Sequence, residues 1–351
     1  MEFGILMGDQ PVESSPTEHL DLMLRKIEAA QEAGFKYLTI GQHFLYDGFR
    51  WLQPIPLLSR LAAELDDDVK LGTTVLVGPV HHPVILAEQL ATLDIITRGR
   101  LVVGIGTGYL PAEYETMGVP FKQRYQLLDE LIEVMTKLWT QERVTHHGKF
   151  WNIEDAPTHI RPVQDPRPPI WLGAMKENGV RRAARLGDVW TITPQQTVDQ
   201  VEELIRIYVD ERVDAGLPLN KLPLRRELMI GRDFDDAVNN FAAVARVKYE
   251  AYADRGMDLL SDEAVRDGFV DTIRDHVLLG SAEDVLKQIT DIAARLPIGP
   301  LLIRPHWPGM DAEQTAGYLK KVGDEVVKPL AGLESTSFEA AMGAVGAVGA
   351  G

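Results

Sequence analysis

The chain has 351 residues, no cysteine and a formal net charge of −16, with 45% hydrophobic and 25% charged side chains. That is room for one large domain or two ordinary ones, in the composition range of globular proteins. The missing cysteines exclude disulfides, thiolate nucleophiles and Cys-ligated metal, and the acidic balance argues against nucleic acid or an anionic membrane as partner.

The chain opens on an apolar strand, Phe3 to Met7, with no basic leader and no long apolar span, so a cytoplasmic location is the default expectation. Thr17 to Gly34 has helical spacing, and Tyr37 to Ile40 forms a second strand ending in Gly41-Gln42-His43-Phe44. After an aromatic loop (Tyr46, Phe49, Trp51), Pro56 to Leu65 reads as helix, Val69 to Val77 as the third strand, and Pro83 opens the next helix. Leu101 to Ile105 is a continuous apolar run, which suits a strand buried on both faces. Lys122 to Thr140 is a long amphipathic helix, Val144 to Ile153 a hairpin insertion, and Pro157 to Pro169 an irregular stretch.

Ile170 to Gly173, Asp188 to Ile192, Leu224 to Ile230 and Pro300 to Ile303 complete a set of eight apolar strands, separated by helices at 179–186, 198–215 and 282–294. A last helix covers Ala312 to Leu330. Phe234 to Leu279 carries two helical patterns with no strand between them and reads as a helical insertion. The alternation predicts an α/β (β/α)8 barrel over 1–334 rather than an open doubly wound sheet. The tail 335–351 ends in an Ala/Gly/Val repeat and is expected to be disordered.

Gly104, Gly106 and Gly108 alternate along the fourth strand, so the missing side chains lie on one face. They leave room for a flat ligand, or they let strands and loop pack closely; the pattern allows both. A dinucleotide fingerprint fails on spacing, and Pro111 delays the helix that it requires.

A parallel barrel keeps its chemistry at the carboxyl ends of its strands. Those ends offer Gly8 and Asp9, Gln42 and His43, Thr73 and Thr74, Gly106 to Tyr109, Ala174 to Lys176, Thr191 and Thr193, Arg232, and Arg304 with His306 and Trp307. Paired acids for glycoside hydrolysis and a metal-ligating set are both missing there. Glycine, hydroxyls and a few aromatics suit an organic cofactor that supplies its own chemistry. The turn Gly173 to Gly179 is either a phosphate-binding strand–helix junction, with Lys176 adding charge, or an ordinary turn.

Several stretches resemble the bacterial luciferase-like superfamily: Val75 to Gln89, Leu93-Asp94, Thr97 to Tyr109, Glu113 to Gly118, Gly148 to Trp151, Pro169 to Gly173, and Arg181 to Asp188. The resemblance implies a barrel with a flavin or a deazaflavin at its mouth, and a homodimer. It implies either a monooxygenase using reduced FMN from a separate flavin reductase, or an oxidoreductase using the deazaflavin coenzyme F420 (coenzyme F-420) without oxygen; a flavin-binding protein without turnover is a third reading.

By position it assigns Thr73, Thr74, Gly106, Thr107, Gly108, Met175 and Lys176 to cofactor binding, with a non-proline cis peptide in Thr73-Thr74-Val75. It places His43 where the family has a histidine, and His43 and Tyr109 are the catalytic candidates. Phe44, Trp51, Arg304 and Trp307 then shape the pocket for a small apolar organic substrate. The alternatives are a core or capping role for His43, and a salt bridge across the mouth for Arg304 and His306. Monooxygenase relatives often read Glu-His-His-Phe where this chain has Gly41-Gln42-His43-Phe44, deazaflavin relatives often read Asp-His-Phe, and a sugar-phosphate group has Glu at the position of Tyr109.

Overall fold

The computed structural model describes residues 1–348 except 9, 13–14, 254–274, 305–306 and 308–309. Asp9 and His306 therefore lie outside the described residues, as does most of the second half of the 234–279 insertion.

Eight parallel strands close into a barrel: β1 (Phe3–Met7), β3 (Tyr37–Ile40), β5 (Lys70–Thr73), β7 (Leu101–Gly106), β10 (Ile170–Ala174), β11 (Val189–Ile192), β12 (Leu222–Ile230) and β14 (Ile298–Arg304). Closure runs through β1 on β14, with Phe3 opposite Leu301, and β7 on β10, with Val103 opposite Ile170. The strands are buried on both faces, as their unbroken apolar runs require.

Shorter strands lie off the barrel. β2 (Gln10–Pro11) pairs with β4 (Phe49–Arg50), and β8 (Arg143–His147) with β9 (Asn152–Pro157) forms the expected hairpin. The third strand breaks after Thr73 and resumes as β6 (Leu76–Val77) against the end of β7. The Thr74–Val75 bond between the two pieces is cis, as the resemblance implied.

The helices α1 (Pro16–Glu32), α2 (Pro54–Leu61), α3 (Pro83–Ile96), α5 (Arg124–Thr140), α6 (Glu177–Leu186) and α7 (Val198–Asp214) cover the barrel. Among the described residues no helix is long and apolar enough to cross a membrane.

Three local readings change. Pro111 does not delay a helix; it opens one, α4 (Pro111–Thr116), because proline lacks only an N–H that a first helical turn leaves unbonded. Residues 277–279, assigned to the helical insertion, belong to a strand, β13 (Val277–Gly280), parallel to the end of β12; the insertion does begin with the helix α8 (Phe234–Ala253). Four apolar residues cannot separate a strand from a helical segment by pattern alone. The third change is the tail. Residues Phe338–Val348 are helical, and Phe338 is buried with its ring stacked on Tyr208 at 6.2 Å. One aromatic anchor fixes a segment whose small residues suggested none.

Candidate active site

The carboxyl ends of the strands surround a cavity of about 970 Å³. Its floor and near wall are Thr74, Val75, Gly106, Thr107, Gly108 and Tyr109; Gly41, Gln42, His43 and Trp51 stand beside them. Met175, Lys176 and the first turn of α6 form one end, and Arg225, Glu227, His276 and Arg304 line the wall built by the last strands.

The glycines answer the question left open by their spacing, and mostly in favour of packing. A Cβ on Gly104 would lie 1.8 Å from the Thr73 carbonyl oxygen, while Thr73 Oγ1 donates to the Gly104 carbonyl at 2.6 Å. Gly108 has φ +65, and its Cβ would meet Val77 Cγ1 at 2.8 Å. These glycines bring the backbone of β7 against β5 and β6. The cavity lies beside that seam.

On this floor the Thr74 hydroxyl is buried without a hydrogen-bond partner. An orphaned buried donor and acceptor asks for a ligand atom. Together with the volume, it fits a flat heteroaromatic ring with polar edges.

At one end, Lys176 occupies the N-cap of α6 without capping it by side chain, so first-turn N–H groups and positive dipole face the cavity. Arg124, Lys176, Arg181, Arg182 and Arg185 line the cavity there. Arg181 pairs with Glu177 and Glu211, Arg185 with Glu211, and Arg182 with Asp129 at 2.5 Å. Five cations against three carboxylates leave an excess of two positive charges. Arg124 donates to the Phe121 carbonyl, and its guanidinium lies over Phe121 and Tyr125 at 3.9 and 4.3 Å.

His43 sits in an aromatic box: the Tyr46, Trp51 and Tyr109 rings are 4.8, 4.8 and 5.7 Å from its own. Tyr46, Phe49, Leu110, Trp51 and Tyr109 pack as one apolar cluster above it. Its Nδ1 is 3.0 Å from Glu113 Oε1, which also accepts the Phe44 amide at 2.8 Å. The Tyr114 hydroxyl donates to the Thr107 carbonyl, tying α4 to the glycine loop; burial pushes its pKa up.

Behind His43 runs a second chain of bonds. Gln42 Oε1 accepts from the Val77 amide and from His81 Nε2, both at 3.0 Å. Gln42 Nε2 donates to Gln53 Oε1 at 2.9 Å, and Gln53 Nε2 to the His43 carbonyl at 3.0 Å. Burial pushes His81 down to about 4, so it is neutral and donates through Nε2. Arg226 backs the far wall, bonded to the carbonyls of Thr193, Arg225 and Gln196; burial lowers it to about 10.

The expected site residues His43, Tyr109, Thr74, Gly106, Thr107, Gly108, Met175, Lys176, Trp51 and Arg304 all line this one cavity. Three do not. Thr73 is fully buried beneath the floor, bonded to Gly104. Phe44 turns away and packs on His81 at 5.9 Å. Trp307 lies in a separate cluster with Phe241, at 4.9 Å edge to face, because β13 and α8 cover that side. Sequence reasoning missed Glu113, Arg225, Glu227 and His276, and gave Gln42 a place at the strand end but no role. Only Glu113 carried a signal, as part of the stretch 113–118 in the resemblance.

The luciferase-like monooxygenase family matches residues 1–297. The chain belongs to that family. As a luciferase-like protein it is an oxidoreductase. It is 27% identical over 331 residues to an F420-dependent glucose-6-phosphate dehydrogenase of Microbacterium testaceum, covering 90% of this chain and 94% of the relative. It is 31% identical over 211 residues to the oxygenase component of the flavin-dependent trigonelline monooxygenase of Acinetobacter baylyi, covering 58% of each.

In fold it superposes on the monooxygenase RslO1 of Streptomyces bottropensis with TM-score 0.83 at 24% identity, over 94% of this chain and 99% of the other. The oxygenating constituent of a Pseudomonas putida 3,6-diketocamphane monooxygenase, solved with FMN, follows at 0.79 and 18% identity, over 96% and 100%. The luciferase-like barrel thus serves both flavin and deazaflavin chemistry among the relatives.

Proposed function

We propose that this luciferase-like protein is the oxygenase of a reduced-FMN monooxygenase. The observation that carries the reading is the pairing of two features at opposite ends of one cavity: an excess of two positive charges at the α6 turn, and the aromatic enclosure of His43. A phosphate monoester is close to a dianion at neutral pH, so the charge at the α6 end matches one phosphate. Lys176 and Arg124, neither paired with a carboxylate among the described residues, would hold it, with Met175 beside them and the Thr74 hydroxyl free to bond a polar edge of the ring.

Reduced FMN, when bound, supplies two electrons to dioxygen, one oxygen atom entering the substrate and the other leaving as water. A separate flavin reductase would deliver it. The rings of Tyr46, Trp51 and Tyr109 keep water from His43, and His43 moves a proton to or from the substrate. The far wall adds Arg225, Glu227, His276 and Arg304, so the substrate carries a polar or anionic group beside its apolar part. That departs from a purely apolar molecule.

The test is anaerobic titration with reduced FMN and, separately, with the deazaflavin coenzyme, followed by turnover under ¹⁸O-labelled dioxygen. Reduced FMN is expected to bind more tightly and label to enter the product. Selective binding of the deazaflavin, with product formed in the absence of oxygen, overturns the proposal. That second reading has its own support, since the dehydrogenase relative matches across 90% of this chain.

A further inference from the structure

We infer that Glu113 is the positioning residue of the site: it fixes the tautomer of His43, so that Nδ1 carries the proton and Nε2 is presented to the cavity as a proton acceptor. The inference deepens the proposed role of His43 and rests on it.

The hydrogen bonds decide the tautomer. Glu113 Oε1 receives the Phe44 backbone N–H at 2.8 Å, so that oxygen is an acceptor. The imidazole Nδ1, 3.0 Å from the same oxygen, must then be the donor. Nδ1 is thereby committed to Glu113, and Nε2 is left for the cavity that His43 lines. Free imidazole side chains favour the other tautomer, so the acid does work against an intrinsic preference.

The remaining oxygen supports a role beyond packing. Glu113 is 4% exposed, and its Oε2 is buried with no hydrogen-bond partner. A half-satisfied buried carboxylate costs stability, and such a cost calls for a compensating role. That cost is offset when positive charge develops on the neighbouring ring. Once Nε2 takes a proton from the substrate, the substrate keeps the electron pair and the imidazolium faces Glu113 on one side and the Tyr46, Trp51 and Tyr109 rings on the others.

The elements deliver this geometry independently. Glu113 stands in the first turn of α4, which Pro111 starts and the Tyr114–Thr107 bond anchors. His43 is set from behind by the Gln53 bond to its carbonyl. Neither residue relies on the cofactor for its place.

The test uses ligand-free protein labelled with ¹⁵N-histidine. Long-range proton–nitrogen correlation identifies the tautomer of each ring, and the His43→Asn spectrum assigns the signal. His43 is expected as the Nδ1–H form. Glu113→Ala should shift it toward Nε2–H, and Glu113→Gln, which keeps the acceptor oxygen, should not. Turnover of Glu113→Ala should fall about 100-fold in kcat with KM little changed, since general acid–base contributions run about 10²–10⁴-fold. Glu113→Gln should recover part of the loss.

An Nε2–H ring in the unmodified protein, or an unchanged tautomer in Glu113→Ala, overturns the inference. So does a variant that loses KM and keeps kcat. If Glu113→Ala does not fold, Glu113→Gln and the unmodified protein still decide. The tautomer is read without cofactor, so a deazaflavin enzyme would sink the proposed function and leave this result standing.

Discussion

Gly104→Ala tests whether the glycine run serves the backbone seam rather than a ligand. The added Cβ would fall 1.8 Å from the Thr73 oxygen, 2.8 Å from its carbonyl carbon and 3.4 Å from Thr74 Cα. None of these is the end of a flexible side chain, so β5 and β7 must part. Overpacking of a tight core costs about 1–3 kcal/mol, and the Thr73–Gly104 hydrogen bond, lost or stretched, adds about 1. We expect a loss of about 3 kcal/mol, a sizeable share of the roughly 5–15 kcal/mol that holds a typical domain. The assay is the urea midpoint at constant slope, read against Gly118→Ala. Gly118 has φ +68 with nothing within 4 Å, so its variant carries backbone strain alone, about 1 kcal/mol. If Gly104→Ala unfolds no earlier than Gly118→Ala, the seam does not need its glycine and the packing argument fails.

The other predictions concern the neighbours of that seam, the tail and the charged end. His81, pushed down to about 4 from an ordinary 6.5, binds a proton more readily in the unfolded chain between those values. Stability from its neutral form is therefore complete above about 6.5 and lost as pH falls toward 4, by about 2 kcal/mol allowing for partial exposure; His81→Asn should flatten that slope in urea titrations from pH 7.5 to 4.5. Phe338→Ala should cost about 3 kcal/mol in thermal or urea unfolding, because it removes a buried ring stacked on Tyr208, whereas a disordered tail would show no change. Lys176→Ala and Arg124→Ala should each weaken reduced FMN about tenfold by anaerobic titration and leave riboflavin, which lacks the phosphate, unaffected; equal losses for both ligands would remove the phosphate from the α6 turn.

What was legible in the chain was whatever repeats along it. Strands buried on two faces leave continuous apolar runs, and the helices between them leave a 3.6-residue period, so the barrel and the order of its walls could be read directly. Contacts across the chain leave no such trace. His43 and Glu113 are 70 positions apart, and nothing near Glu113 marks it as a ligand of an imidazole. Pro111 was read as a barrier because its position relative to the helix start was unknown; the same residue blocks a helix interior and favours its first turn. Trp307 was placed at the mouth by its neighbour Arg304, yet its ring is buried against Phe241. A residue's distance along the chain from a strand end does not say which side of the barrel it reaches.

The departure at Gly41-Gln42-His43 has a physical account in the same terms. Gln42 accepts two hydrogen bonds through Oε1 and donates one through Nε2. A carboxylate could take both protons and could not give one to Gln53. It would also place a negative charge 3 Å from His81 and favour the charged imidazole, whereas burial there favours the neutral one. The amide thus keeps the second histidine uncharged and passes a hydrogen bond on to the His43 carbonyl through Gln53. With Gln42 neutral, Glu113 is, among the described residues, the acid in hydrogen-bond contact with the His43 ring.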